Sequence, residues 1–263
     1  MIMEANLDKS KVRRSFAAAA LSYDGMAELQ RRVGRELLRR FPVHQSSGVL
    51  LDVGCGTGFL TRQMATGMLY QHLIALDLAL PMLQTCQRKY PELAAKYLCA
   101  DAENLPFASH SIAQIYSNLA LQWAQDLAAT LAGFKRVLEP GGKLVFATFG
   151  PATLRELKAA WAAVDSFTHV NTFYAAGEIE AFLKAARFRN IDVDSVLYRS
   201  GYPSVQALMR ELKEIGAHNV NRGRNPKPTT KTQLQQMIGH YQDQMEGRET
   251  VASYEIIFVK AQS

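Results

Sequence analysis

The stretch Leu51-Asp52-Val53-Gly54-Cys55-Gly56-Thr57-Gly58 limits what this chain can fold into more than any other. Val49–Val53 is a short apolar run that reads as a buried strand. The glycines at 54, 56 and 58 let the backbone turn sharply into a helix predicted over 58–67 and approach a ligand closely. A dinucleotide fingerprint would want its third glycine at 59, where Phe59 stands. No lysine follows the glycines, which removes the phosphate-binding loop of ATPases.

Around this turn the hydrophobic period alternates between strand and helix. Further strands are predicted at 73–77, 97–101, 111–117 and 143–149, separated by helices at 80–89 and 126–138. Short connections between them argue a mostly parallel sheet covered on both faces. Two helices, 8–24 and 26–41, precede the first strand; the first should stop near Tyr23-Asp24-Gly25. Beyond the fifth strand come helices at 151–164 and 176–186, a strand at 191–198, helices at 204–216 and 231–246, and a last strand at 253–260. Residues 219–231 read as an exposed loop or flap. With 263 residues, 48% apolar and 21% charged, the chain can bury one substantial core without disulfides or metal. The expectation is one α/β domain over 1–263. It comprises an N-terminal helical layer (8–41), a ligand-binding core (48–150) and a helical excursion (199–250).

The formal charge of +6 is concentrated at the two ends of the chain, a pattern that can steer an acidic partner. Cys55, Cys86 and Cys99 show neither metal-ligand spacing nor an even disulfide set. No apolar run reaches the ~20 residues of a membrane span, and the start lacks the zones of a secretion signal. The chain is therefore expected to be cytoplasmic, with no metal and no membrane partner, and nothing in it demands an oligomer.

Acidic residues at strand ends refine the ligand. Asp77 ends the second strand, where a carboxylate can accept from a ribose diol. Asp101 ends the third strand and would meet the amino group of an adenine. Either could instead cap the following helix. Asp52, Asp77 and Asp101 crowded at strand C-termini repel a pyrophosphate and suit a ligand carrying positive charge.

These motifs resemble the class I S-adenosylmethionine-dependent methyltransferases over about 48–150, through LDVGCGTG, ALDLALPML, CADAENLPF and RVLEPGGKLVFAT. The resemblance implies a Rossmann-like, seven-stranded, mostly parallel sheet with an antiparallel last strand, and S-adenosyl-L-methionine as cofactor. It further implies that Asp52 belongs to the cofactor site, that Gly54, Gly56 and Gly58 embrace the methionine part and that Asp77 takes the ribose. Met82, Asp101 and Ala102 would then lie at the adenine and Asn118 beside the cofactor.

Outside the core the chain resembles the malonyl-acyl-carrier-protein O-methyltransferases of bacterial biotin synthesis. The matching stretches include KSKVRRSFAAAALSYDGMAELQ at 9–30, YSNLALQWAQDL at 116–127, FATFGPATLRELKAAW at 146–161, HVNTF at 169–173 and RELKEIGAHNVNRGR at 210–224. The implied acceptor is the free carboxylate of a malonyl thioester on acyl carrier protein; a coenzyme A thioester would satisfy the same small pocket. Another small carboxylic acid would keep the same cofactor residues. Such an acceptor is ionised at pH 7 and needs no general base. Alignment, exclusion of water and an offset cation should suffice.

Tyr23 is the first acceptor-side candidate, packing on the adenosine and directing its hydroxyl into the active cavity, with Phe16 and Trp123 completing an apolar enclosure. His169, Asn171, Arg199 and Lys213 are candidates for holding the carboxylate; Arg210 lies farther off the apolar stripe of its helix. Arg13, Arg14, Arg31, Arg35, Arg222, Arg224 and Lys227 could form a basic rim for the acidic carrier. A base-modifying nucleic-acid enzyme would carry an Asn/Asp-Pro-Pro-aromatic motif where this chain has Ser117-Asn118-Leu119-Ala120, so no nucleic-acid partner is expected.

Overall fold

A computed structural model describes residues 7–45, 48–66, 72–217, 228–247 and 249–263. Seven strands form one sheet in the order β3-β2-β1-β4-β5-β7-β6. They are β1 (Val49–Val53), β2 (His72–Asp77), β3 (Ala95–Cys99), β4 (Ile112–Asn118), β5 (Leu138–Phe149), β6 (Arg189–Tyr202) and β7 (Thr250–Gln262). β1 to β5 pair in parallel, whereas β7 runs antiparallel to both β5 and β6, as the sequence led us to expect. Chain order reverses beside β1, which has β2 on one side and β4 on the other. That reversal opens a crevice at the strands' carboxyl ends, the usual ligand position in an open α/β sheet.

Helices cover both faces because the strands are apolar on both. α3 (Glu28–Arg40) buries Leu29, Val33 and Leu37, spaced by four, and packs with Leu50, Tyr116 and Phe258. α6 (Leu127–Val137) and α8 (Ala176–Ala185) bury Leu131, Phe134 and Leu183 on the opposite face with Ile115, Phe146 and Ile257. Each fully buried side chain of this size stabilises the fold by about 1.5–3 kcal/mol before the entropy of ordering is counted.

The N-terminal layer departs from the single helix expected over 8–24. α1 (Lys9–Ala19), capped by the Asp8 carboxylate, ends at Ala19, and Tyr23–Met26 begins a second helical turn, α2, where the sequence suggested a stop. α4 (Phe59–Ala65) and α5 (Leu80–Lys89) follow β1 and β2, and α7 (Arg155–Ala162) follows β5. The excursion holds α9 (Val205–Glu214) and α10 (Lys231–Met245) between β6 and β7. Leu208, Met237 and Tyr241 sink it into the same core as Leu157 and Trp161. β6 extends to Tyr202, beyond the strand expected at 191–198, because β7 pairs with it as far as Tyr202↔Thr250. Of the flap expected at 219–231, residues 218–227 lie outside the described residues; Thr230 caps α10, accepting from the Gln233 N–H at 3.2 Å. Among the described residues no helix is long and apolar enough to cross a membrane.

Candidate active site

Two neighbouring cavities open at the carboxyl ends of the strands. The first is roofed by Lys9, Val12 and Phe16 of α1 and by Tyr23 of α2, and floored by Gly54, Gly56, Asp77, Asp101 and Asn118. Met82, buried to 1% exposure, and Ala102 line its far end. Of the three glycines, Gly56 (φ 54°) faces open space: a β-carbon there would find only the Tyr23 ring, 4.0 Å away. Gly58 does not line this cavity. It starts α4 at φ 87°, and a β-carbon would overlap the Cys86 sulfur, so this glycine is required by packing and not by a ligand. Gly54 lines the cavity, but a β-carbon on it would overlap Ala120.

Asp77 is 9% exposed and receives the Gly56 N–H at 2.9 Å and the Ala79 N–H at 2.8 Å, one on each oxygen. The carboxylate keeps acceptor capacity for a further donor. Burial pushes its carboxyl up to about 6, with the backbone N–H groups opposing. Asp52 lies below, at 1% exposure. Burial drives it up to about 7 against the Thr61 hydroxyl, which donates to it at 2.5 Å; the nearby Asp77 adds to the rise. Asp101 accepts from the Glu103 N–H at 3.0 Å and pairs with the Lys9 ammonium, which also pairs with Glu103. Lys9 thus ties α1 to the Asp101 end of the cavity. The sequence carried no signal for it, since the pair spans 92 positions.

The second cavity, about 580 Å³, lies between α3, α7, α9 and the loop 163–175. It is mostly aromatic and aliphatic, and Trp123 belongs to the walls of both cavities. His169 is fixed in this wall: its ring stacks on Trp161 at 3.8 Å and 5°, and its Nε2 meets Asp165 at 2.8 Å. Asn171 is buried beside it at 8% exposure. Lys213 and Arg210, three apart on α9, both border the cavity from exposed positions at its mouth. Arg210 therefore belongs with Lys213, although its position off the helix stripe argued otherwise.

One acceptor-side expectation is corrected. Arg199 lies exposed on β6, the edge strand, and lines neither cavity; strand alternation turns it away from the face on which Val196 and Tyr198 pack. Tyr23 lines the first cavity and not the second. Burial and the charges of Asp77 and Asp24 raise its hydroxyl well above the usual tyrosine value, so it stays protonated as a donor. Gln30, Gln122, Glu211 and Tyr254 line the second cavity too and were not anticipated, because only tertiary packing brings them there.

A family model described as a methyltransferase domain matches residues 51–146. The chain is 43% identical over 219 residues to the malonyl-[acyl-carrier protein] O-methyltransferase of Methylococcus capsulatus, covering 82% of this chain and 80% of that protein. A protein of the same name from Gallionella capsiferriformans is 35% identical, with 96% and 90% covered. The chain belongs to the malonyl-[acyl-carrier protein] O-methyltransferase family. It is also 39% identical to the biotin biosynthesis bifunctional protein BioHC of Cellvibrio japonicus, over 96% of this chain but only 50% of that protein; it spans about half the length of such bifunctional relatives. The solved structure of the YcgJ protein from Bacillus subtilis shares the fold at TM-score 0.64 and 16% identity, over 88% of this chain and 97% of that one.

Members of this family are S-adenosylmethionine-dependent, and the buried polar atoms here fit that cofactor. Gln30 Oε1, Asp52 Oδ1 and Asn118 Oδ1 are buried without a hydrogen-bond partner among the described residues. All three side chains, with Tyr23 and Gly56, line a small cavity beneath the glycine turn. Three orphaned acceptors, one a carboxylate, are costly unless a donor-rich cation meets them. The α-ammonium of a methionine moiety supplies three N–H donors and a positive charge. Asp77, at the cavity floor with acceptor capacity left, suits a ribose hydroxyl, and the Met82–Ala102 end suits an adenine.

Proposed function

We propose that this protein transfers a methyl group from S-adenosylmethionine to the free carboxylate of a malonyl thioester carried on acyl carrier protein. The product would be the malonyl methyl ester that primes pimeloyl synthesis for biotin, made in the cytoplasm. The carrying observation is the pair of neighbouring cavities that share the Trp123 wall. One carries the carboxylates of Asp77 and Asp101, with the orphaned acceptors for a cationic cofactor in the small cavity beneath its glycine turn; the other is mostly apolar, with Arg210 and Lys213 at its mouth. When bound, the cofactor supplies an electrophilic methyl group on a sulfonium.

The protein's own part is alignment and exclusion of water. Phe16 and Trp123 stand between the cavities, and Gln30 and Gln122 line the second with amide groups. No proton needs removal, so the reaction requires no general base. Arg210 and Lys213 attract the carboxylate from the mouth. A cation clamped on the nucleophilic oxygen would stabilise reactants more than the transition state, because the carboxylate loses its charge on transfer. His169 and Asn171 hydrogen-bond the acyl chain in this reading.

The test is incubation with malonyl carrier protein and cofactor bearing a radiolabelled methyl group, then mild alkali. A methyl ester releases volatile labelled methanol. Label that is incorporated but stable to alkali would point to transfer to nitrogen or carbon and reject the carboxylate.

A further inference from the structure

Leu21 is 84% exposed, the most exposed large apolar side chain among the described residues. It sits in the turn between α1 and α2, and that turn is tied to the end of α9. The Ser22 hydroxyl donates to the Glu214 carbonyl at 3.1 Å. Gly216 lies so close under α1 that a β-carbon would be 3.1 Å from the Ser15 carbonyl oxygen. Helix spacing puts Lys11, four before Ser15, on the side of α1 that meets α9, with Arg14 next to it toward solvent. α9 contributes Arg210 and Lys213 at the acceptor-cavity mouth.

The charge state of this joint differs from that of the other basic helix. On α3, Arg31 and Arg35 share Glu28, and Arg39 and Arg40 share Glu36, so four of its five arginines have a carboxylate partner although the helix stays net positive. Arg14, Arg210 and Lys213 have no carboxylate partner among the described residues, and Lys11 has only the partly exposed Asp8 at 3.3 Å. Of the rim expected from sequence, Arg31 and Arg35 are thus occupied, and Arg222, Arg224 and Lys227 lie outside the described residues. An exposed leucine on a turn tied to the end of α9, whose unpaired Arg210 and Lys213 border the acceptor cavity, complements a small acidic protein. Such a partner would send its acyl arm inward while its body stays outside.

We propose that acyl carrier protein docks on the joint between α1 and α9, with Leu21 as the apolar contact and Arg14, Arg210 and Lys213 as the charges that meet its acidic face. This rests on the function proposed above. The experiment uses Arg14→Glu and Leu21→Asp, neither of which lines a cavity, in the full-length protein. Calorimetric titration with malonyl carrier protein measures docking; turnover on the carrier and on malonyl-pantetheine measures chemistry. Binding of the carrier should weaken at least tenfold in each variant, Arg14→Lys should keep most of it, and S-adenosylhomocysteine affinity should stay within twofold. Carrier affinity unchanged in both acidic variants overturns the surface, whatever the turnover. A wild type that binds the carrier through these residues yet methylates neither substrate supports the surface and counts against the proposed reaction instead.

Discussion

Phe16 and Trp123 meet edge to face at the wall between the two cavities, with ring centroids 5.4 Å apart and planes at 83°. One ring comes from α1 and the other from the turn after β4, so closure of the cofactor cavity and the shape of the acceptor cavity depend on one contact. Edge-to-face pairs contribute about 0.5–1.5 kcal/mol beyond their buried area. A double-mutant cycle of Phe16→Leu and Trp123→Leu, read by S-adenosylhomocysteine affinity, should give a coupling of about this size. Additivity to within about 0.3 kcal/mol would remove the contact from the site.

Cofactor affinity should depend on pH through Asp77 and Asp52, held near 6 and 7 by burial. A bound cation favours their ionised forms, so binding releases protons and strengthens as pH rises through this window, by roughly tenfold between pH 5.5 and 7.5. In the free protein the sign is opposite. Carboxyls raised above their unfolded value of about 4 stabilise the fold fully below that pH and lose the contribution as pH rises through 6–7. The increase in Tm caused by S-adenosylmethionine should therefore be larger at pH 8 than at pH 5.5. An affinity flat across that range would show that the pair does not face the ligand.

The glycines separate packing from binding. Gly58→Ala should lose about 2–4 kcal/mol of stability, because the new methyl overlaps Cys86 and the backbone is left-handed. Gly56→Ala has space and should cost only about 1–2 kcal/mol from its φ. Its main effect should be on cofactor affinity, measured by calorimetry beside thermal denaturation. Equal losses of stability in the two variants would refute the distinction.

Arg199→Met should leave kcat/KM for the malonyl carrier unchanged, since Arg199 borders neither cavity. Lys213→Met should lower it by about 1 kcal/mol, roughly fivefold, a modest figure because an exposed cation is screened by water. A large loss from Arg199→Met would restore it as the anchor.

Much of the fold was legible because parallel strands buried on both faces write continuous apolar runs, as VLLDV and LIALD do. The break of the first helix at Ala19 was not, since the alanines after Phe16 favour helix and only packing beneath Gly216 and over the cavity divides it. On the cofactor side, glycine spacing and strand-end acids marked Asp77 and Gly56, but local sequence could not show that Gly58 faces Cys86. On the acceptor side the sequence named cations without their directions. Arg210 and Arg199 were therefore weighed by helix and strand position alone, and the packing of α9 against the cavity and the exposure of edge strand β6 reversed their order.

Asp77 gives the most direct test of the account. Asp77→Ala should weaken S-adenosylhomocysteine binding by about 1.5–3 kcal/mol, the usual cost of losing hydrogen bonds to a charged group. The decisive measurement is mass spectrometry of the carrier protein after incubation with enzyme and S-adenosylmethionine, in wild type and in this variant. The account predicts one added methyl group on malonyl carrier protein, none on acetyl carrier protein, and a much slower gain with Asp77→Ala. A methyl group gained by the acetyl form, or none gained by the malonyl form with cofactor bound, would contradict it.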